Sequence, residues 1–399
     1  MRESKWWRDD CWKSLGISLA LRPIHSLAVL YQVLGAGDCT PSALKMRIDS
    51  LQYPQLRGNA SSEPDGPLKF ALMNAKASLL FALLLPSLTW ADQKTAQTWT
   101  DPVLALKENP DFAIQGEYHR KASPLGAQVV ALGNGKFDLY VLEGGLPGLG
   151  WDKEKSRIKL SGTREKGTTT FATEQGISAL LKGKTLTIQR DRKDAVKVSR
   201  IERTSPTVGA KPPKGATVLF DGTSVEHWEN GQMKDGLLQA TGTLSKPKFK
   251  DYQLHLEFRT PYKPFARGQQ RGNSGVYFGG RWETQVLDSF ALDGKMNECG
   301  GIYSISEPDV NMCLPPLTWQ TYDVAFTSAK FDKNGKRTAW PRMTVKLNGV
   351  IIHNDRELPK DLTTAAPGKG PLKDEALPLY LQNHGNPVVF RNIWVLPKH

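Results

Sequence analysis

The sequence predicts an all-β protein, and three observations lead to this fold class. Short runs in which apolar and polar residues alternate recur from about Asp101 to the C-terminus, as expected for half-buried strands. Asn-Gly pairs at Asn134-Gly135 and Asn348-Gly349 separate such runs, which is a strong signal for a β-hairpin. No helical pattern of useful length interrupts them, so we expect sheets that pack as a sandwich or close as a barrel.

Length and charge set broad limits on organisation and partners. The chain of 399 residues is long enough for two or three domains. Its net charge of +13 and isoelectric point near 9.4 could attract polyanions. The sequence contains no arginine-rich helix, zinc-finger spacing or RNA-binding aromatic strand, so nucleic acid is not an expected partner. A diffusely basic surface is the simpler interpretation.

The N-terminal quarter contains a segment with the order of a secretory signal peptide. Residues 73–91 place Lys76 before the apolar run Leu79–Leu85 and end on the small Ala91, which is the typical arrangement. The apolar run is too short to span a bilayer. Residues 1–72 show neither periodicity nor helix caps, and we interpret them as a mis-assigned, disordered or poorly packed extension before a start at Met73. The mature protein is expected to be secreted or periplasmic, without a membrane span.

The next segments predict a small β module and a linker. Residues 92–203 contain short strands with Gly turns, among them the predicted hairpin around Asn134-Gly135. Residues 204–216 hold three prolines and no apolar periodicity, which is typical of a linker. Residues 217–399 contain about a dozen strand-like runs without helices, which fits two curved sheets packed face to face.

The stretch NSGVYFGGRWETQVLDS, residues 273–289, carries more polar side chains than solubility requires. Strict alternation along the strand turns two sets of side chains to opposite faces. The core face receives Trp282, Thr284 and Val286, and the polar face receives Arg281, Glu283 and Gln285. Asp288 reaches the polar face only if a β-bulge re-aims it. Two carboxyls with different pKa values on one strand could divide acid and base roles.

Two further strands present polar faces that could complete a site. In LPLYLQNHG, Gln382 and His384 oppose the leucines, and histidine is the usual proton-transfer group near neutral pH. In YQLHLEFRT, His255 and Glu257 likewise oppose apolar residues. A solvated polar face is the alternative in each case. No Ser-His-Asp order, HExxH motif or paired CxxC motif appears, so serine hydrolases and zinc enzymes lack support.

Residues 214–399 resemble the 3-keto-disaccharide hydrolase family. The resemblance rests on motifs that occur in order: VLFDGTSVEHWEN, DYQLHLEFRT, GNSGVYFGGRWETQVLDS, CGGIYSI, LTWQTYDVAF, VKLNGVIIH and LYLQNHGNPVVFRNIWV. It implies a concanavalin-like jelly-roll sandwich that acts on sugars, commonly in exported bacterial proteins. Residues 92–203 resemble an accessory module that accompanies this family in planctomycete-type bacteria. The spacing Glu283-x-Gln285-x-x-Asp288 also resembles the catalytic strand of laminarinase-like glycosidases, with Gln285 at the central acid.

The resemblance also implies site residues and a reaction. The family's polar pattern falls on Asn273, Ser274, Glu283, Gln285, Asp288, Gln382, His384 and Arg391. The implied reaction removes the proton beside a C3 ketone, expels the C1 substituent and adds water, which needs a base, an acid and a charge stabiliser. We expect His384 or Glu283 as base and Asp288 as acid or metal ligand. Arg281 or Arg391 would stabilise charge, while His255 and Glu257 are further candidates for substrate binding.

Several alternatives stay open at the level of sequence. A noncatalytic carbohydrate-binding sandwich and an ordinary retaining glycosidase compete with the proposed reaction, because a fold alone does not define function. No cofactor is required, but a divalent cation could use Glu283 and Asp288 as oxygen ligands. Cys299 and Cys313 could form one disulfide in an exported protein. The oligomeric state is not predicted.

Overall fold

The computed structural model describes residues 97–172, 176–190 and 193–398. The predicted extension and signal peptide, residues 1–91, lie outside this range. The described residues contain one α-helix, α1 (Pro102–Glu108), which begins where the Asp101 carboxylate accepts hydrogen bonds from the backbone N–H groups of Val103 and Leu104. No helix of the described residues is long and apolar enough to cross a membrane.

Residues 116–201 form a closed antiparallel barrel. The strands of this barrel, in chain order, are β1 (Gly116–His119), β2 (Leu125–Gly133), β3 (Lys136–Glu143), β6 (Arg157–Glu165), β7 (Thr168–Ala172), β8 (Ile177–Lys182), β9 (Thr185–Arg190) and β10 (Val196–Ile201). Two short strands, β4 (Leu146–Pro147) and β5 (Gly150–Trp151), pair beside it. Around the barrel the order is β1-β10-β9-β8-β7-β6-β3-β2. Closure leaves the barrel without a free sheet edge.

Alternation builds the interior of the barrel. In β8, Ile177, Ala179 and Leu181 are buried while the residues between them are exposed, as expected for a strand with one face toward the interior and the other toward solvent. The Asn134-Gly135 turn joins β2 to β3 as predicted, and both residues have positive φ, which matches the twist of a tight hairpin.

Residues 217–397 form two sheets. The strands of the larger sheet are β11 (Thr217–Phe220), β13 (Met233–Lys234), β14 (Leu237–Gln239), β16 (Tyr252–Arg259), β19 (Gln320–Thr327), β22 (Arg342–Leu347), β23 (Val350–Glu357) and β25 (Val389–Pro397). The smaller sheet consists of β12 (Trp228–Glu229), β15 (Thr243–Phe249), β17 (Ser274–Phe278), β18 (Trp282–Val286) and β24 (Leu377–Leu381). Its order is β12-β15-β24-β17-β18. A separate ribbon pairs β20 (Lys330–Phe331) with β21 (Arg337–Ala339).

An aromatic core lies between the two sheets. Tyr252 and Phe326 from the larger sheet contact Phe278 and Trp282 from the smaller one, with ring centroids between 5.7 and 6.5 Å apart. Burying such rings supplies most of the stabilisation that holds two sheets together. The all-β prediction, with a jelly-roll sandwich preceded by a small β module, is confirmed.

The segment between barrel and sandwich is fixed to the larger sheet. Ser205 Oγ lies 2.6 Å from Thr321 Oγ1, and the N–H of Gly209 donates to Glu257. The proline-rich composition of residues 204–216 therefore correctly indicates a segment without regular secondary structure, but this segment is not a flexible linker, because it is hydrogen-bonded to the larger sheet.

Cys299 and Cys313 are buried, free thiols. Cys299 Sγ lies 3.5 Å from the Tyr322 hydroxyl, and Cys313 Sγ lies 3.6 Å from the carbonyl oxygen of Leu287. They contribute to the sandwich core as small apolar side chains.

Candidate active site

A tight hairpin brings the central residues of the candidate site together. Three residues, Gly279, Gly280 and Arg281, connect β17 to β18. The N–H of Arg281 donates to the carbonyl oxygen of Phe278 at 3.0 Å, and the two glycines between them have φ values of 63° and 61° that favour glycine. This turn sets the register and pairs Tyr277 with Glu283 and Gly275 with Gln285. Because paired residues point to the same face of a sheet, Tyr277, Glu283, Gly275 and Gln285 all lie on the face that is turned away from the core. The predicted alternation within β18 is confirmed.

The Glu283 carboxyl is almost completely shielded from solvent among polar side chains, since the residue is 2% exposed. Its Oε2 atom accepts a hydrogen bond of 2.8 Å from the Tyr277 hydroxyl. The same hydroxyl accepts a bond of 2.9 Å from Gln382 Nε2. Burial raises the pKa of Glu283 to about 7, although the Tyr277 hydrogen bond opposes the shift. A carboxyl with this pKa can accept and return protons near neutral pH.

Gly275 makes room for this carboxyl. A Cβ atom at this position would lie 2.4 Å from Glu283 Oε1 and 2.9 Å from the Tyr277 ring. Such distances are far below normal contact, and so any side chain here would displace the carboxyl.

Amide side chains surround Glu283 on the same face. Gln269 Oε1 accepts hydrogen bonds from Asn273 Nδ2 at 2.8 Å and from Gln285 Nε2 at 3.3 Å. The oxygens Asn273 Oδ1, Gln285 Oε1 and Gln382 Oε1 are buried without a hydrogen-bond partner. Buried acceptors without partners are uncommon in folded proteins. They are suited to receive hydrogen bonds from the hydroxyl groups of a ligand.

We refer to Glu283, Tyr277, Gln382, Gln285, Asn273 and Gln269 as the Glu283 cluster. Half-buried Tyr380 lies at its edge, with its ring centroid 5.4 Å from that of Tyr277. Ser274 contributes indirectly, because its hydroxyl donates to the carbonyl oxygen of Gln382 at 2.7 Å and joins β17 to β24.

His384 occupies the turn after β24 and is exposed. Its carbonyl oxygen accepts from Asn386 Nδ2 at 3.0 Å, while no contact of its imidazole with Glu283 is present among the described residues. It therefore lies near Gln382 in sequence but outside the Glu283 cluster.

Asp288 does not join the polar face. Strand β18 ends at Val286, and the chain then turns, so that no bulge re-aims this side chain along the strand. The Asp288 carboxylate accepts a hydrogen bond of 2.6 Å from the buried Arg271 guanidinium. Burial raises the pKa of Asp288, and Arg271 partly offsets that rise. The predicted pairing of Glu283 with Asp288, as acid and base or as metal ligands, is not what the structure presents.

Arg281 holds a surface loop rather than facing the Glu283 cluster. Its guanidinium donates to the carbonyl oxygens of Asp361, Lys369 and Gly370 at 3.0 to 3.4 Å. Five donors in a rigid fork suit the recognition of several carbonyls. The expectation that Arg281 stabilises substrate charge is therefore replaced by a role in fixing this loop.

His255, Glu257 and Arg391 belong to the other sheet. His255 Nδ1 lies 2.6 Å from Asp323 Oδ1, and Arg391 Nε donates to Glu257 at 2.7 Å. The Arg391 guanidinium also covers the Trp319 ring at 3.9 Å. Hydrogen bonds to its neighbours lower the pKa of Glu257 to about 2 against the opposing effect of burial. This network fixes residues 204–210 to the larger sheet and does not contact the Glu283 cluster.

The structure adds two residues that the sequence did not single out. Tyr277 could not be assigned from the turn alone, because a two-residue Gly279-Gly280 turn would pair Val276 with Glu283, whereas the observed three-residue connection pairs Tyr277 with it. Gln269 lies in a loop without a periodic pattern, and no sequence signal pointed to it. No group of three or more His, Cys, Asp or Glu side chains within the described ranges is arranged to hold a metal ion.

Comparisons with known proteins agree with the resemblance seen in the sequence. Residues 215–396 match the model of the 3-keto-alpha-glucoside-1,2-lyase-like domain. A crystal structure of a candidate glycosyl hydrolase from Parabacteroides distasonis shares 33% identity, covering 47% of this chain and 85% of that one, with a TM-score of 0.42. A second such structure from the same organism shares 19% identity over 47% of this chain and 95% of that one, with a TM-score of 0.35. No curated protein matches the chain.

Proposed function

Because this chain belongs, through residues 215–396, to the 3-keto-alpha-glucoside-1,2-lyase-like domain family, we propose that it cleaves 3-keto-glycosides by elimination and hydration. The observation that carries the proposal is the Glu283 carboxyl, whose pKa of about 7 results from burial in a polar cluster. A base of this strength suits removal of a proton from carbon only when a neighbouring group acidifies that carbon. A ketone at C3 of a sugar does so for the proton on C2.

In the proposed reaction Glu283 takes the C2 proton, and the electron pair enters an enolate that includes the C3 oxygen. The enolate re-forms the ketone while the bond between C1 and the glycosidic oxygen breaks. The leaving oxygen takes a proton and departs as an alcohol. Water then adds to the C1–C2 double bond, with hydroxyl at C1 and hydrogen at C2.

We assign both proton transfers of the elimination to Glu283. Asp288 is engaged by Arg271 at 2.6 Å, so it is a poor candidate for the acid. As a carboxylic acid, Glu283 can pass the proton it has received to the leaving oxygen on the same face. Tyr277 keeps the carboxyl in position through its 2.8 Å hydrogen bond.

The unpaired amide oxygens support a sugar as the ligand. Asn273 Oδ1, Gln285 Oε1 and Gln382 Oε1 are acceptors, and the hydroxyl groups of a sugar are donors. Pairing them would remove the cost of leaving buried acceptors unsatisfied. A ketone oxygen offers no proton to such atoms, so these acceptors would bind the hydroxyl-bearing part of the substrate.

The test compares 3-keto and unmodified disaccharides as substrates for the purified chain. Release of sugar from the keto substrate alone is the expected result. Glu283→Gln is expected to lower kcat by at least about 100-fold, in the range typical for loss of a general base, while His384→Ala keeps activity. Loss in His384→Ala with retention in Glu283→Gln would reassign the base.

Two alternatives give different outcomes in the same experiment. A retaining glycosidase would cleave the unmodified disaccharide, but it needs a second carboxyl about 5 Å from the first. The Asp288 carboxylate does not serve as that group, because it is paired with Arg271. A noncatalytic binding protein would release sugar from neither substrate while still binding one of them.

A further inference from the structure

Two loops lie between the barrel and the Glu283 cluster, and both are held by barrel residues. The first, residues 263–273, precedes β17 and carries Gln269 and Asn273. The second, residues 287–298, follows β18. Because each loop borders a strand of the Glu283 hairpin, its position affects the shape of the candidate site.

The first loop is anchored to strand β2 of the barrel. Arg267 Nη2 donates to the carbonyl oxygen of Leu132 at 3.0 Å. The ring of Phe265 covers Gly133, where a Cβ atom would lie 2.3 Å from the ring. Arg271, already paired with Asp288, lies 3.4 Å from both the Ala131 carbonyl oxygen and Gln115 Oε1.

The second loop is anchored to strand β6 and to the turn before it. The Arg157 guanidinium donates to Asp293 Oδ1 at 2.7 Å and to the carbonyl oxygen of Ala291. It also stacks 3.9 Å from the centroid of the Tyr140 ring. Lys153 Nζ donates to the carbonyl oxygen of Gly294 at 3.3 Å.

Gln269 connects the two loops to the Glu283 cluster. Its Nε2 atom donates to the carbonyl oxygen of Asn297 in the second loop at 2.8 Å. Its Oε1 atom accepts from Asn273 and from Gln285, which lies two residues from Glu283 on β18. One amide thus joins both barrel-held loops to the polar face.

We propose that the barrel is a positioning element of the active site, which acts through its anchors on residues 263–273 and 287–298 and through Gln269. Arg157, Arg267 and Gln269 are positioning residues under this proposal. A displacement of about 1 Å in a group that orients substrate can lower turnover by about 100-fold. The barrel therefore takes part in turnover without contacting the reacting atoms.

The primary test uses Arg157→Ala, with Lys159→Ala as the matched control. Both side chains lie over Tyr140, at 3.9 and 5.9 Å from the ring centroid. Lys159 is exposed and pairs with Asp138, a residue of the barrel itself, whereas the Arg157 guanidinium donates to Asp293 and Ala291 outside the barrel. Hydrogen exchange of the full chain is expected to accelerate in residues 287–298 for Arg157→Ala and to stay unchanged for Lys159→Ala.

Turnover of the 3-keto disaccharide provides a second readout, which rests on the proposed function. We expect Arg157→Ala to lower kcat about 10-fold or more, as misplacement predicts, with the midpoint of the pH profile unchanged. Arg157→Lys, which keeps the ion pair with Asp293, should recover part of kcat. Arg267→Ala, at an exposed position on the other loop, should act in the same direction.

The two readouts separate the two proposals. If the wild-type chain releases no sugar, the proposed function fails and hydrogen exchange alone decides the role of the barrel. If Arg157→Ala and Lys159→Ala show the same hydrogen-exchange rates in residues 287–298 and the same kcat, the positioning role is refuted.

Discussion

At the scale of single residues, the Tyr277 hydroxyl links the proton of Glu283 to its surroundings. This hydroxyl has one hydrogen and two acceptors within reach, Glu283 Oε2 at 2.8 Å and the Thr364 carbonyl oxygen at 3.1 Å. Gln382 donates to the hydroxyl oxygen and leaves its hydrogen for one of these acceptors. When Glu283 is ionised, the carboxylate is the stronger acceptor. When Glu283 is protonated, the hydrogen can turn to Thr364, so the cluster accommodates both protonation states.

The pH dependence of turnover follows from this arrangement. Glu283 must be ionised to act as a base, so kcat/KM should rise as pH increases through about 7. Tyr277→Phe removes the hydrogen bond that opposes the rise in pKa, and the midpoint should therefore move to higher pH. Tyr380→Phe is the control, because its ring neighbours that of Tyr277 while, in the part of the chain that the structure describes, its hydroxyl makes no hydrogen bond to Glu283. A midpoint that stays in place in Tyr277→Phe, or moves equally in Tyr380→Phe, would contradict the role of this hydrogen bond.

The sequence predicted part of the candidate site. Alternation along β18 correctly separated Trp282 from Glu283, because a strand has a period of two. For Asp288 alternation alone gives no place on the polar face, and the β-bulge that would have brought it there is absent. The strand ends at Val286, and the partner that determines the direction of the Asp288 carboxylate is Arg271 at 2.6 Å. Gln269 lies in a single 3-10 turn, Gly268–Gln270, which is too short for a period in the sequence to indicate the direction of its side chain.

At the scale of elements, the loop held by Arg281 covers one side of the hairpin. Besides the three carbonyls bound by Arg281, Thr363 Oγ1 accepts from the backbone N–H of Glu283 at 3.0 Å. The Trp282 indole donates to the carbonyl oxygen of Lys360 at 2.7 Å. This loop therefore supports the strand that carries the proposed base, and its hydrogen bonds explain why an arginine follows the Gly279-Gly280 turn.

Removal of Arg281 should loosen this loop. Arg281→Ala leaves carbonyls of residues 361–370 without donors, and we expect the free energy of unfolding to fall by about 1–3 kcal/mol. Lys250→Ala is the control, because Lys250 forms an exposed ion pair with Asp374 that should be worth less than about 1 kcal/mol. Denaturant unfolding measures both variants. Equal losses would show that Arg281 has no special role in the loop.

Elements with strong local signals were predictable, and those defined by tertiary contacts were not. The hairpins at Asn134-Gly135 and Asn348-Gly349 formed as expected, because positive φ at both turn residues selects a tight turn. Polar faces looked alike in sequence, yet the face with His255 and Glu257 lies on the larger sheet beneath residues 204–210. Strand order, which assigns each face to a sheet, depends on long-range pairing that local patterns do not contain.

At the scale of the whole molecule, a closed barrel and a two-sheet sandwich share an interface that includes charged groups. Buried Arg271 pairs with Asp288 and also reaches the carbonyl oxygen of Ala131 in the barrel. Loss of one partner from a buried ion pair is costly, because the other charge remains without compensation. This interface accounts for why Asp288 is a carboxylate without a direct part in the proposed chemistry.

The most direct test of the central proposal, that Glu283 removes the C2 proton of a 3-keto-glycoside, is a turnover experiment in D2O followed by NMR. Wild-type product is expected to carry solvent deuterium at C2, and Glu283→Gln is expected to form neither product nor exchanged substrate above an enzyme-free control. Product that retains its original C2 hydrogen, or full activity in Glu283→Gln, would contradict it.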